Sequence, residues 1–338
     1  MRKSLSMSTE KRKGDHIRVC LEEDVEFFRG NGFDEFSFTH NALPEVDWNE
    51  IDISTRFLGR KFSAPIFIGA VTGGTTESVE INKNLAKAAQ ELGIGMGLGS
   101  QRAMIESPSL AKTFKVRDVA PDIFLVGNIG ASQILKYGYT PEKISRALEE
   151  IGANALAIHL NPAQELAQKG GNRDWKGALE SIEKIKSGIK LPVIVKEVGN
   201  GISGDVAKKL AGVGVDAIDV AGSGGTNWVK VDSIIAKTPY EAFYEWGIPT
   251  AVALEQCLAS VKIPIIASGG IRNGIDAAKA LSMGASLAGM SLPLLRPACD
   301  SAGAVKAALE KFINELKTTM FLTSSKNLSE LRRKAIKI

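Results

Sequence analysis

Eight short apolar runs, separated by stretches of helical amphipathic pattern, organise the chain from about residue 64 onward. They are Pro65–Ala70, Ile94–Leu98, Ile123–Val126, Ala155–Ile158, Pro192–Val195, Ala217–Val220, Pro264–Ala267 and Ser286–Met290. Short apolar runs of this kind read as strands buried on both faces, which belong to parallel sheets. Helical patterns such as Val79–Leu92, Pro141–Ile151, Asp205–Ala211 and Gly274–Ser282 supply the crossovers. Eight β–α units predict an α/β fold, a (β/α)8 TIM barrel, and a chain of 338 residues has room for one. A doubly wound sheet is the alternative, with fewer strands and a G-x-G-x-x-G turn after the first. Gly69-Ala-Val-Thr-Gly-Gly74 lacks that spacing.

No repeat or low-complexity linker interrupts the chain, so residues 1–338 read as a single domain. Residues 1–63 form an N-terminal extension, whose Phe27, Phe28, Phe33, Phe36 and Phe38 are expected to cap or pack on the barrel. The barrel spans 64–320, and 321–338 is a C-terminal tail. A net charge of +4 is too small to point to nucleic acid. The excess lies partly in the ends: Arg2, Lys3, Lys11, Arg12 and Lys13, then Arg332, Arg333, Lys334 and Lys337. Basic tails ordinarily read as solvated. Cys20, Cys257 and Cys299 have neither metal-ligand nor disulfide spacing, which suits a reducing compartment. With no apolar leader and no run able to cross a bilayer, the expected location is the cytoplasm, without membrane partners.

Ligands of parallel α/β proteins sit at the C-terminal strand ends. The fourth run continues into His159-Leu-Asn-Pro-Ala-Gln-Glu165, which gathers donors, acceptors and a carboxylate at one mouth. The plainer alternative is a helix start with a solvated amide and carboxylate. Ser268-Gly-Gly-Ile-Arg-Asn-Gly274 after the seventh run and Gly289-Met-Ser-Leu292 at the eighth occupy the usual phosphate site of this fold, or simply make tight turns. Gly222-Ser-Gly-Gly-Thr-Asn-Trp228 could lie against a flat ring or serve as a lid. Lys196, closing the fifth run, is a Schiff-base nucleophile, a fixed charge beside a flavin, or a surface lysine.

Together these segments resemble the type 2, FMN-dependent isopentenyl-diphosphate isomerases. The resemblance runs from Arg12 to Ser325. It rests on Arg12-Lys-Gly-Asp-His16, Thr72-Gly-Gly74, Gly97-Leu-Gly-Ser-Gln-Arg102, Asn128-Ile-Gly130, the His159–Glu165 stretch, Val195-Lys-Glu197, Gly222–Trp228 and Ser268–Arg272. The His159–Glu165 and Gly224–Trp228 stretches are highly specific; Gly-Gly-Ile-Arg is shared by many flavin barrels. The resemblance implies that Arg12, Lys13, Gly99, Ser100, Gln101 and Arg102 bind the substrate diphosphate. His159 and Gln164 would be catalytic and, with Asn161, contact substrate; Glu165 would bind Mg2+. FMN would be held by Gly69, Ala70, Val71, Thr72, Ser100, Asn128, Lys196 and Thr226, and its phosphate by Gly270, Ile271, Arg272, Ser291 and Leu292. Val71, Gly127 and Ala221 depart from the Met, Ala and Ser common in the family, and Ala221 loses a possible flavin hydrogen bond.

The implied reaction interconverts isopentenyl and dimethylallyl diphosphate in isoprenoid biosynthesis, with reduced FMN as acid/base and NADPH as reductant, in a homo-oligomer (tetramer or octamer). The rival is an FMN oxidoreductase of the 2-hydroxy-acid oxidase type. It needs a His base close to a substrate-binding Arg, and none of His16, His40 and His159 adjoins Arg272 in sequence. A nucleotide dehydrogenase wants a cysteine within Gly222–Trp228, which has none. A non-catalytic barrel that binds a phosphorylated ligand is the third possibility.

Overall fold

A computed structural model describes residues 9–338. Eight parallel strands close into a barrel. They are β1 (Ile66–Ile68), β2 (Gly95–Gly97), β3 (Leu125–Gly130), β4 (Ala155–His159), β5 (Val193–Lys196), β6 (Ala217–Asp219), β7 (Ile265–Ser268) and β8 (Leu287–Met290). β8 pairs with β1 through Ala288↔Ile66, Gly289↔Phe67 and Met290↔Ile68, which shuts the ring. Each apolar run of the sequence holds one strand. Their Ile, Val, Leu and Ala side chains are almost wholly buried, as expected of strands covered by side chains within and helices without.

Strand ends differ from the sequence reading where polar residues continue the ladder. β3 starts two residues later than its apolar run and reaches Gly130, pairing Asn128↔Ala157 and Gly130↔His159. Gly127-Asn128 lies beyond the apolar run, and the neighbouring strand satisfies its backbone. β4 and β5 likewise run on through His159 and Lys196, a pair in register.

The extension is distributed around the barrel. Thr55–Phe57 and Arg60–Phe62 form an antiparallel hairpin. Phe57 and Phe62 meet Phe124, with ring centroids 5.8 to 6.2 Å apart, beneath the starts of β2 and β3. Of the five phenylalanines expected to cap the barrel, Phe33 and Phe27 are buried and Phe36 and Phe38 half-buried, whereas Phe28 is 96% exposed. Residues 25–27 lie along the loop after β6, with Phe27 N–H on the Gly225 carbonyl (3.0 Å) and Asn227 N–H on that of Val25 (2.8 Å).

The basic C-terminal end is not a solvated tail. Ala335–Lys337 pairs antiparallel with Phe36–Phe38. Arg332 donates to the Gly284 carbonyl (3.0 Å), Lys334 to that of Ser324 (3.0 Å), and Lys337 lies 3.4 Å from Glu35. An open strand edge in the extension gives these residues a partner that composition alone does not reveal. Arg2 and Lys3 lie outside the described residues.

Phe62→Ala should open a cavity among three aromatic rings and cost roughly 3–5 kcal/mol. Denaturant unfolding checks this: the midpoint should fall with little change in slope.

Candidate active site

The C-terminal strand ends form one cavity, roofed by helix Thr9–Glu22. That helix places Arg12, Lys13, His16, Ile17 and Cys20 on the cavity, a face repeating every three to four residues. A small apolar cluster of Val19, Val25 and Val231 pins the helix against the helix Trp228–Ala236. All the residues expected at the site line this cavity except Gln101.

Gln101 is 2% exposed, and backbone claims its amide. Its Nε2 donates to the Gly99 carbonyl (2.8 Å), its Oε1 accepts from Asn128 N–H, and its own N–H donates to the Asn128 carbonyl (2.7 Å). It ties the loop after β2 to β3.

The cations Arg12, Lys13 and Arg102 stand close together in a largely buried space. Lys13 Nζ donates to the Ser100 carbonyl (3.3 Å). Burial, then the charges of Arg12 and Arg102, lower the pKa of Lys13 to about 7. Burial and Arg102 also lower that of Arg12. Arg102 is held by Glu106 (2.7 Å) and the Tyr137 hydroxyl (2.8 Å), with its guanidinium 4.9 Å from the Tyr137 ring centre.

At the end of β4, His159 Nδ1–H donates to Asn128 Oδ1 (2.9 Å). Burial, helped by Lys196 and Lys13, pushes its pKa down to about 3, so the imidazole is neutral near pH 7. The short helix Pro162–Ala167 then turns Gln164 and Glu165 into the cavity together, which a continuing strand would forbid. Gln164 Oε1 accepts from Asn161 Nδ2 (3.0 Å), and its Nε2 donates to Asp232 Oδ2 (2.8 Å). The other oxygen of Asp232 lies 3.0 Å from His16 Nε2. This His16–Asp232–Gln164 chain is absent from the sequence expectations. Its signal was a carboxylate inside the apolar helix Trp228–Ala236, where Asp232 is 1% exposed. Such a residue is rarely buried without a partner.

Glu165 accepts from Ser132 Oγ (2.8 Å), Gln133 Nε2 (3.3 Å) and Asn172 N–H (2.5 Å). Among the described residues no three His, Cys, Asp or Glu side chains form a metal cage. Buried Asn161 Oδ1 and Gln133 Oε1, on the two side chains beside Glu165, have no hydrogen-bond partner. One carboxylate and two spare amide oxygens suit a hard cation that completes its shell with phosphate oxygens.

Gly69, Ala70, Gly222, Gly269, Gly270 and Gly289, from the ends of β1, β6, β7 and β8, also line the cavity and bring no side chain larger than a methyl. Lys196 and Arg272 border the same cavity. Small residues that let a ring approach the backbone, with cations on the same cavity, fit a planar, phosphorylated ring such as FMN. Lys196 is in register with His159 on one side and Asp219 on the other. Asp219 accepts from Ser268 Oγ (2.5 Å), and burial raises its pKa against the pull of Lys196. Ala221 lies on the cavity in the left-handed region (φ 37°), which costs a residue with a Cβ about 1–2 kcal/mol. Strain of this kind gathers at functional sites. Arg272 Nη2 lies 2.9 Å from Glu26 of the extension.

A family model described as FMN-dependent dehydrogenase matches residues 22–113 and 114–338. Proteins named isopentenyl-diphosphate delta-isomerase are similar over almost the whole chain. That of Thermococcus onnurineus is 48% identical, covering 95% of this chain and 89% of the relative. That of Nostoc sp. is 45% identical, covering 97% and 95%. Among solved structures, a flavocytochrome b2 variant has a TM-score of 0.68 at 20% identity, covering 95% of this chain and 82% of that one. A mandelate oxidase variant has 0.65 at 16%, covering 97% and 98%. At such identities these two share the fold alone.

Gln101→Ala and Arg12→Ala should separate clamp from ligand. The first leaves a buried Gly99 carbonyl and Asn128 N–H unpaired and should cost about 1–3 kcal/mol of stability. The second should leave stability nearly unchanged and weaken binding of inorganic pyrophosphate the more strongly. Denaturation and pyrophosphate titration of both variants check the ordering.

Proposed function

The chain belongs to the FMN-dependent dehydrogenase family and, within it, to the isopentenyl-diphosphate delta-isomerases; from that membership we propose that it interconverts isopentenyl and dimethylallyl diphosphate with reduced FMN, Mg2+ and NADPH as reductant. The observation that carries the reading is the lining of one cavity. It brings together a cationic cluster of Arg12, Lys13 and Arg102 and a set of small residues at the ends of β1, β6, β7 and β8, with Lys196 and Arg272. The first set suits a diphosphate, the second a flavin. The oxidase rival shares only the fold of its solved examples, at 16–20% identity.

When bound, reduced FMN supplies an electron-rich ring able to exchange a proton with the alkene. Lys196 would hold the charge of the reduced ring, and Arg272, with the backbone at Gly270 and Ile271, its phosphate. Arg12, Lys13 and Arg102 would bind the substrate diphosphate, and Glu165 a Mg2+ shared with it. His159 takes a binding part. A base with a pKa of about 3 is a weak proton acceptor near pH 7. Gln164 is neutral and orients the reacting carbons, or relays a proton to Asp232. That carboxylate accepts from Gln164 Nε2 and is joined to His16 behind it, which fixes the direction of the amide. The helix Thr9–Glu22 over the strand ends would limit access of water to a carbocation-like state.

Anaerobic incubation of the protein with isopentenyl diphosphate, FMN, Mg2+ and NADPH should yield dimethylallyl diphosphate without stoichiometric loss of NADPH. Absence of product, or oxidation of a 2-hydroxy acid instead, would overturn the reading. The same reading makes the protein a cytoplasmic homo-oligomer, in keeping with its three free cysteines, Cys20, Cys257 and Cys299. No helix among the described residues is long and apolar enough to cross a membrane.

Gln164→Ala should lower kcat with little change in Mg2+ dependence, whereas Glu165→Gln should raise the Mg2+ requirement and recover only partly in excess metal. The opposite pattern in a Mg2+ titration reverses the two roles.

The pH profile follows from Lys13. The ammonium form binds diphosphate, and in the free enzyme it is lost as pH rises through about 7. kcat/KM should therefore be full below that value and fall above it. Buried Glu197, with its pKa also raised to about 7, titrates in the same range. Lys13→Arg separates the two, because arginine stays charged and the falling limb should vanish; a limb that persists points to another group.

A further inference from the structure

The loop Gly270–Arg272 owes its shape to a residue outside the barrel. Asn31 lies in the extension, two residues before buried Phe33. Its Nδ2 donates to the Gly270 carbonyl (2.7 Å) and to Asp276 Oδ2 (3.3 Å). Its Oδ1 accepts from Phe33 N–H (2.9 Å), and its own carbonyl accepts from Ala251 N–H (3.0 Å). Asp276 Oδ2 in turn accepts from Arg272 N–H (3.2 Å). One carboxamide thus ties down Gly270 directly and Arg272 through Asp276.

The same residue accounts for two glycines. A Cβ at Gly270 would fall 2.9 Å from Asn31 Cβ and 2.4 Å from the Gly224 carbonyl oxygen. A Cβ at Gly224 would fall 2.4 Å from Asn31 Cα. Both glycines also have positive φ, 72° and 113°. Asn31 fills the space between the loops that follow β6 and β7.

A trans peptide is planar, so its C=O and N–H point in opposite directions. None of the described peptide bonds is cis. Asn31, which does not line the cavity, draws the Gly270 carbonyl toward itself. It thereby turns the Ile271 N–H of the same peptide away, toward the side that Gly270, Ile271 and Arg272 line. A backbone N–H aimed at the ligand is what an oxygen of a phosphate monoester takes up. We infer that Asn31 is a positioning residue for the phosphate end of the flavin: it fixes the peptide orientation of the receiving loop without touching the flavin. The inference rests on the FMN reading above.

Titration of the flavin-free protein with FMN, and separately with riboflavin, tests it by fluorescence quenching. The two ligands share a ring and differ in the phosphate. The unaltered chain should prefer FMN. Asn31→Ala should weaken FMN binding roughly tenfold or more, the worth of one or two hydrogen bonds, and leave riboflavin within about twofold. A general loosening of the fold would lower both affinities together. Asn31→Asp keeps the acceptor for Phe33 N–H but sets a carboxylate against the Gly270 carbonyl and Asp276. It carries the test should the alanine variant not fold, and it should lose the FMN preference at least as far. A preference for FMN that survives in the folded variants, or equal losses for both ligands, overturns the role of Asn31. An unaltered chain that binds neither ligand, or both equally, overturns the flavin-phosphate reading itself and this inference with it.

Discussion

The lateral register of β3 to β6 is the constraint on which the site depends. Gly130 pairs with His159, His159 with Lys196, and Lys196 with Asp219, so the polar residues of successive strands end at one level. Side chains alternate faces along a strand, and a slip of one residue would send His159 and Lys196 to the helical layer outside. The Ile, Val and Leu residues beneath them oppose such a slip, because moving them means exposing or overfilling a packed core. The barrel core thus specifies where the chemistry stands.

Above that level the electrostatics favour an absent partner. Arg12, Lys13 and Arg102 crowd together with little water, and the pKa values of Arg12 and Lys13 are lowered by that company. A polyanion removes the repulsion and restores the charge. The fold holds the cluster in place, Arg102 being fixed by Glu106 and Tyr137. Around the glycine loops after β6 and β7 the device is steric: small residues leave the backbone open, and Asn31 and residues 25–27 tie those loops down.

Much of this was legible in the sequence. The strands announced themselves because burial on both faces demands unbroken apolar runs. The cavity-lining residues did so because glycine, histidine and lysine at strand ends are costly without a purpose. Three features were not legible, each for a physical reason. β3 continues through Gly127-Asn128, and only the neighbouring ladder makes that favourable. Gln101 sits among ligand-like residues, yet the backbone of two loops takes its amide, a competition that sequence does not display. The docking of Ala335–Lys337 on Phe36–Phe38 joins segments about three hundred positions apart, and nothing local encodes it. Asp232 is intermediate: a carboxylate within an apolar helix marks itself as paired, but its partners, His16 and Gln164, come from distant segments.

The depressed pKa of Lys13 also has a calorimetric side. An amine that is partly neutral in the free protein and fully charged beside a diphosphate takes up a fraction of a proton on association. The medium supplies that proton, so the measured heat includes the ionisation enthalpy of the buffer in proportion to the uptake. Near pH 7, enthalpies obtained in PIPES and in Tris would differ while the affinity stayed the same, and the difference counts the proton fraction that Lys13 lacks in the free protein because of its burial and its arginine neighbours.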